Sequence, residues 1–176
     1  MPAPDALADG ELAPPPLRVV QSLANTVCAA PDPDPLRTRE EAAVWLRAAA
    51  LLPADAGLST SEHAALSRLR DSLRDVLAAH TDGRQDAAAA DRLTRALADG
   101  RVVVTLDTDS AVHLASAARS SYPSLVAAIA VAIAESAAAG TWLRLKSCSA
   151  PGCCLAFYDG SPPPAATRCA AHAARS

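Results

Sequence analysis

Four of the five cysteines in this chain fall between residues 148 and 169, and three of them, Cys148, Cys153 and Cys169, are followed by His172 three positions past the last. A C-x4-C pair, a later cysteine and a histidine supply thiolate and imidazole donors for one tetrahedral zinc ion. Ser149-Ala-Pro-Gly152 between the first two sulfurs is a turn sequence that lets the chain fold back and face both at one point. The last thirty or so residues are therefore expected to close as a zinc knuckle. The Phe157 ring would cover the site as a miniature core, and Cys154 is expected to be a bystander.

The remainder of the 176 residues must find its core without aromatics, which make up only 3% of a chain that is 51% hydrophobic. A core of Ala, Leu and Val favours closely packed helices over a β-sandwich, so the expected class is mainly α (α+β): a helical N-terminal domain with one β-hairpin, plus the small C-terminal zinc-knuckle module. The start, Met1-Pro-Ala-Pro-Asp5, has neither a basic leader nor a continuous apolar stretch, which points to a cytoplasmic protein with reduced thiols and ranks metal binding above disulfides. The most apolar run, 123–139, is interrupted by Glu135 and rich in alanine, so it reads as a buried helix and not as a membrane span.

Periodicity and caps divide the chain further. Residues 1–16 are rich in Pro, Ala and acid and are expected to be loose. A helix over 17–28 follows, with Val20, Leu23, Ala24 and Val27 at three- and four-residue steps, and Pro31-Asp-Pro-Asp-Pro35 stops it. Thr38 with Glu41, and Ser59 with Glu62, have capping-box spacing. The first should open a helix with Val44, Trp45, Ala48 and Leu52 on its apolar face, ended by Pro53. The second should open a long helix with Leu66, Leu69, Leu73, Val76 and Leu77 inward and Arg68, Arg70, Asp71, Arg74 and Asp75 on a solvated face. A helix near 86–98 should end at Gly100 as a left-handed cap. A β-hairpin near 101–115 then turns through Asp107-Thr-Asp-Ser110, with His113 as an ordinary strand residue. After the 123–139 helix and Gly140, Leu143 and Leu145 alternate with Arg144 and Lys146, predicting a strand that leads into Cys148.

Leu143-Arg-Leu-Lys-Ser-Cys148-Ser-Ala-Pro-Gly-Cys153, Phe157-Tyr-Asp-Gly-Ser161 and the seven residues from there to Cys169 resemble the zinc finger of bacterial proteins that join an ABATE domain to a CGNR finger. Upstream, Ser22-Leu-Ala-Asn-Thr26 resembles the Phe-Val-Asn-Thr segment of the ABATE domain. The resemblance implies an ABATE-like domain over 17–140, a CGNR-like finger over 141–176, and a stress-induced transcriptional regulator whose finger binds DNA. The sequence also departs from that pattern. Where the family has a fourth cysteine followed by Gly-Asn-Arg, this chain has Ala174 and stops at Ser176, and the usually arginine-rich loop before Cys169 is Pro162-Pro-Pro-Ala-Ala-Thr-Arg168. His172 is one candidate for the missing ligand; three cysteines and a water is the other.

The net charge is −3 and Lys146 is the only lysine, which excludes a general polycation. From Trp142 onward, however, Arg144, Lys146, Arg168 and Arg175 face only Asp159, giving net +3 on a body of −6. These four cations are the candidate contacts to double-stranded DNA, a weak footprint that a homodimer would double. The competing reading is a structural or interaction module in which zinc merely staples the C-terminal segment and the helical domain recognises a protein or small-molecule signal. No membrane partner is expected. Neither a nucleophile with its base nor an H-E-x-x-H pattern appears, so no enzymatic activity is expected.

Overall fold

The computed structural model describes residues 12–28, 33–118 and 122–173. Among these the elements run α1 (Pro15–Asn25), a short 3-10 turn (Thr26–Cys28), α2 (Arg39–Ala48), α3 (Thr60–Asp82), α4 (Ala87–Leu97), β1 (Val102–Leu106), β2 (Val112–Ser116) and α5 (Tyr122–Ala138). A 3-10 turn (Trp142–Arg144), β3 (Leu145–Ser147), β4 (Ala156–Tyr158) and α6 (Ala170–Ala173) complete the chain. The architecture is mainly helical with two separate antiparallel two-stranded ribbons, β1-β2 and β3-β4. No helix among the described residues is long and apolar enough to cross a membrane.

Both capping boxes form: Thr38 and Ser59 accept from the amides of Glu41 and Glu62, whose carboxylates return to the cap amides. They fix the starts of α2 and α3, and Leu66, Leu69, Leu73 and Leu77 of α3 are fully buried as the spine of the core. Packed against this spine are Leu17, Val20 and Leu23 of α1, Leu46 of α2, Leu93 of α4 and Leu125, Val126 and Ile129 of α5. The run 123–139, read from the sequence as a buried helix, forms α5. In the fold it packs against α1, α4 and β2, and toward its end Ala134, Glu135, Ala137 and Ala138 are exposed while Ser136 stays buried.

Several local expectations are corrected by the packing. The loose start does not reach residue 16, because Ala13 is buried and donates its amide to Gln21 Oε1, and α1 begins at Pro15; residues 1–11 lie outside the description. α2 ends at Ala48, before Pro53, with Ala50 in a left-handed conformation (φ 57°). Its buried face is Ala42, Ala43 and Leu46, while Val44 is 59% exposed. The helix turns its small residues inward because they allow close approach, which a ranking by side-chain size overlooks. The charged side of α3 is only partly solvated. Arg68, Asp71 and Asp75 are exposed, but Arg70 and Arg74 border the leucine spine and turn inward. Arg70 pairs with Asp34 (2.6 Å) and reaches Thr26 Oγ1, and so anchors the segment before α2 to the α1 end.

Gly100 is not a left-handed cap; that role belongs to Gly83, which closes α3 at φ 62°. At Gly100 the backbone of α5 comes so close that a methyl group would lie 2.6 Å from the Ala127 amide nitrogen and 2.7 Å from the Val126 carbonyl carbon. The glycine is what lets the chain leave α4 and pass under α5. Gly100→Ala should cost about 1–3 kcal/mol of unfolding free energy in urea titration, as overpacking against rigid backbone does. Gly57→Ala, at a position with open space around it, should be nearly neutral in the same assay.

Candidate metal centre

The C-terminal segment starts as a very short ribbon. β3 and β4 have three residues each, paired as Leu145 with Tyr158, Lys146 with Phe157 and Ser147 with Ala156. Two strands of this length leave most of their outward backbone groups unsatisfied, and side chains of α1 and α3 supply the missing partners. Asn25 brackets Ala156, accepting its amide (2.7 Å) and donating to its carbonyl (3.0 Å), with Gln21 donating to the same carbonyl. Thr81 does the same for Ser147: its Oγ1 accepts that residue's amide (3.0 Å) and donates to its carbonyl (2.7 Å). His80 Nδ1 donates to the Leu145 carbonyl, and Arg74 reaches the carbonyls of Ala24 and Cys154. Burial lowers the His80 pKa, only partly opposed by that hydrogen bond, and its ring makes a T-shaped contact with Trp142.

Inside the segment, Lys146 and Asp159 form a buried pair at 2.8 Å. The Lys146 ammonium also donates to the carbonyls of Pro164 and Ala166, and Asp159 accepts from the amides of Ser161 and Ala166 and from the Ser161 hydroxyl. Burial raises the Asp159 pKa, but the ammonium and these donors outweigh it and hold the carboxyl below its ordinary value. One ion pair therefore organises the proline-filled loop 161–167 that leads to Cys169.

From this frame the four predicted donors converge. Cys148 leaves β3 with its amide bonded to the Leu155 carbonyl, and the Ala150–Cys153 turn, with Gly152 at φ 76°, brings Cys153 back. Cys169 lies at the start of α6, so His172 sits three residues on, on the same side of a single helical turn. The Sγ atoms of Cys148, Cys153 and Cys169 and a ring nitrogen of His172 all lie within 4.8 Å of one another. His172 Nδ1 is 3.2 Å from Cys169 Sγ and 3.8 Å from Cys148 Sγ. Phe157, Ala150, Cys148 and Cys169 form a second small core, as expected of the phenylalanine lid. Burial and the neighbouring sulfurs push the Cys169 thiol up to about 12. Burial also raises Cys148, yet amide donors from Cys169 and Ala150 bring it below the ordinary value. Thiolates this close together repel one another, and a bound cation is what would allow several to coexist.

A family model described as "Putative stress-induced transcription regulator", the ABATE model, matches residues 17–140. The chain belongs to the ABATE family. No curated protein matches it in sequence. The ABATE match ends at Gly140, just ahead of Trp142, and the Cys/His cluster beyond it is compatible with a CGNR-type finger.

Two expectations about the segment that follows the ABATE domain change. Cys154 is not a bystander, and the expectation of reduced thiols holds only for Cys148, Cys153 and Cys169: Cys154 forms a disulfide with Cys28 (Cα–Cα 5.7 Å), at the end of the turn after α1, with Arg74 3.6 Å from the Cys28 sulfur. Adjacent cysteines point to opposite sides of an extended chain, so Cys153 faces the donor cluster while Cys154 faces the ABATE domain. The leucine and cation alternation at 143–146 also fails, since Leu143 is 66% exposed and Lys146 is buried. Of the candidate phosphate contacts, Lys146 thus lies inside the module. Arg144 is half-buried and donates to the carbonyls of Asp159 and Ser161, Arg168 is exposed, and Arg175 lies outside the described residues. Sequence reasoning did not find Gln21, Asn25, His80 and Thr81 as docking residues. Polar side chains on otherwise apolar helix faces were the available signal, and Asn25 already sat within the segment resembling the ABATE pattern.

Lys146→Met should destabilise the protein by about 3–5 kcal/mol in urea titration, because it leaves Asp159 buried without its counter-charge. Combining it with Asp159→Asn should restore much of the loss, and equal destabilisation in the single and double variants would contradict the pairing.

Proposed function

We propose that this ABATE protein is a cytoplasmic transcription regulator in which zinc, held by Cys148, Cys153, Cys169 and His172, staples the C-terminal module to the helical domain, and that its direct grip on DNA is weak. The observation that carries this reading is the convergence of four soft and borderline donors on one point. In a tetrahedral zinc site, bond lengths near 2.3 Å to sulfur and 2.0–2.1 Å to nitrogen give sulfur pairs about 3.8 Å apart and sulfur–nitrogen pairs about 3.5 Å apart. The His172 nitrogen, at 3.2 and 3.8 Å from two of the sulfurs, fits as the fourth ligand without a water. Zinc bound there would hold three thiolates together and fasten α6 to the turn at Cys153. No catalytic role is assigned to the centre.

The staple reading draws support from the docking of β3 and β4. Their backbone groups depend on α1 and α3, so the module is continuous with the helical domain and is not a tethered reader. Of the cations in this segment, Arg144 and Arg168 reach solvent, and Lys146 serves the fold. That leaves few charges for phosphate, and recognition of a protein or small-molecule signal by the helical domain remains compatible with the same structure.

Purified protein should carry one zinc per chain, and Cys148→Ser or Cys153→Ser should lose it, while His172→Ala should bind more weakly; stoichiometric zinc in Cys148→Ser would refute the assignment. Deleting residues 141–176 should lower the melting temperature of the remaining domain sharply, whereas a tethered module would be removed without effect.

Titration of duplex DNA should give a slope of log affinity against log salt no steeper than about −3. Undetectable binding near 50 mM salt would remove direct DNA contact from the function and leave the zinc staple standing.

A further inference from the structure

The two ribbons of this fold treat their edges in opposite ways. Every outward group of β3 and β4 discussed above is met by a helix side chain, whereas the β1-β2 hairpin has an open side. The bonds from the Ala117 amide to the Arg101 carbonyl and from the Asp107 amide to the Ala111 carbonyl fix which residues pair inward. By alternation, Arg101, Val103, Thr105 and Asp107 face β2, and the backbone N–H and C=O groups of Val102, Val104 and Leu106 point away from it. No partner for these groups exists among the described residues. The strand is also apolar where it is exposed: Val104 is 62% and Leu106 66% accessible, with Val112 of β2 at 66%. Solitary edge strands are ordinarily blunted by lysine, proline or a bulge, and Val102-Val-Val-Thr-Leu106 has none of these.

We propose that β1 is a homodimerisation edge, pairing antiparallel with β1 of a second copy about a two-fold axis through Val104 to form a four-stranded sheet, β2-β1-β1-β2. Two independent features select this register. Pairing Val104 with its own copy sets Val102 against Leu106, so the three residues with outward backbone groups are the ones that exchange hydrogen bonds, two per facing pair. The same register sets Arg101 of each copy against Asp107 of the other. Arg101 has no ion pair among the described residues. Asp107 binds the turn amides of Asp109 and Ala111 through Oδ1 and His113 through Oδ2, and the latter oxygen can accept a further donor. A one-residue slip would lose both matches at once. Directly opposed residues share a face, so the exposed valines and leucines of both copies form one apolar strip across the sheet.

Sedimentation equilibrium of the full chain from about 5 to about 200 μM is the test, because a strand-edge interface falls at the small end of specific interfaces and should dissociate within that range. Wild type is expected to pass from monomer to dimer. Val104→Pro removes only an outward N–H, so it should keep the hairpin and the circular dichroism spectrum while remaining monomeric. Arg101→Glu, which sets like charges opposite at both ends of the pairing, should weaken the dimer about tenfold at low salt and less at high salt. A wild type that stays monomeric at the highest concentration overturns the proposal, as does a dimer untouched by Val104→Pro. A dimer that loses stability with Val104→Pro but is indifferent to Arg101→Glu overturns the register.

Discussion

A two-stranded ribbon three residues long cannot satisfy its own backbone, and the way this protein meets that constraint determines most of its C-terminal half. Asn25 and Thr81 each act as a surrogate strand residue, offering one acceptor and one donor to the amide and carbonyl of a single β residue. Because these side chains project from α1 and α3, the ribbon can exist only where the two helices already pack. Leu145 and Ala156 then join the leucine spine of the main core. The donor cluster hangs from this ribbon, so its position is inherited from the helical packing.

Charge inside the segment follows the same logic. A lysine and an aspartate taken out of water cost several kcal/mol unless every remaining hydrogen-bonding position is filled. Here Lys146 uses two loop carbonyls and Asp159 uses two amides and a hydroxyl. The pair therefore does for the proline-rich loop what a strand or helix would do elsewhere: it gives a stretch without regular structure a fixed set of partners. That loop is held from within by one ammonium.

What could be read from the sequence was what local chemistry decides. The capping boxes at Thr38 and Ser59, the leucine period of α3 and the hairpin around Asp107–Ser110 rest on residues near one another along the chain, while Cys148, Cys153, Cys169 and His172 were legible by residue type, since few other chemistries use that donor set. The misreadings share a different cause. Lys146 looked like a surface cation because its partner lies thirteen residues away, and Gly100 looked like a cap because the backbone it must clear belongs to α5. Cys154 looked idle because Cys28 is 126 positions distant, and Arg70 and Arg74 looked solvated because their acceptors lie on other elements. In each case the deciding contact was nonlocal, and no pattern within a window of the chain encodes it.

The Cys28–Cys154 bond turns most of the polypeptide into a covalent ring. Everything from α2 through β3 lies on that closed circuit, while α1 on one side and the segment from β4 to α6 on the other lead away from the junction as two tails. Opening the ring at one peptide bond, for instance in the exposed turn between β1 and β2, would yield two fragments that remain a single molecule. Such a nicked chain would leave the Cys/His donor cluster and the α1 and α3 contacts on the same covalent scaffold, so cleavage at the hairpin tip would alter the proposed dimerisation edge without releasing either half.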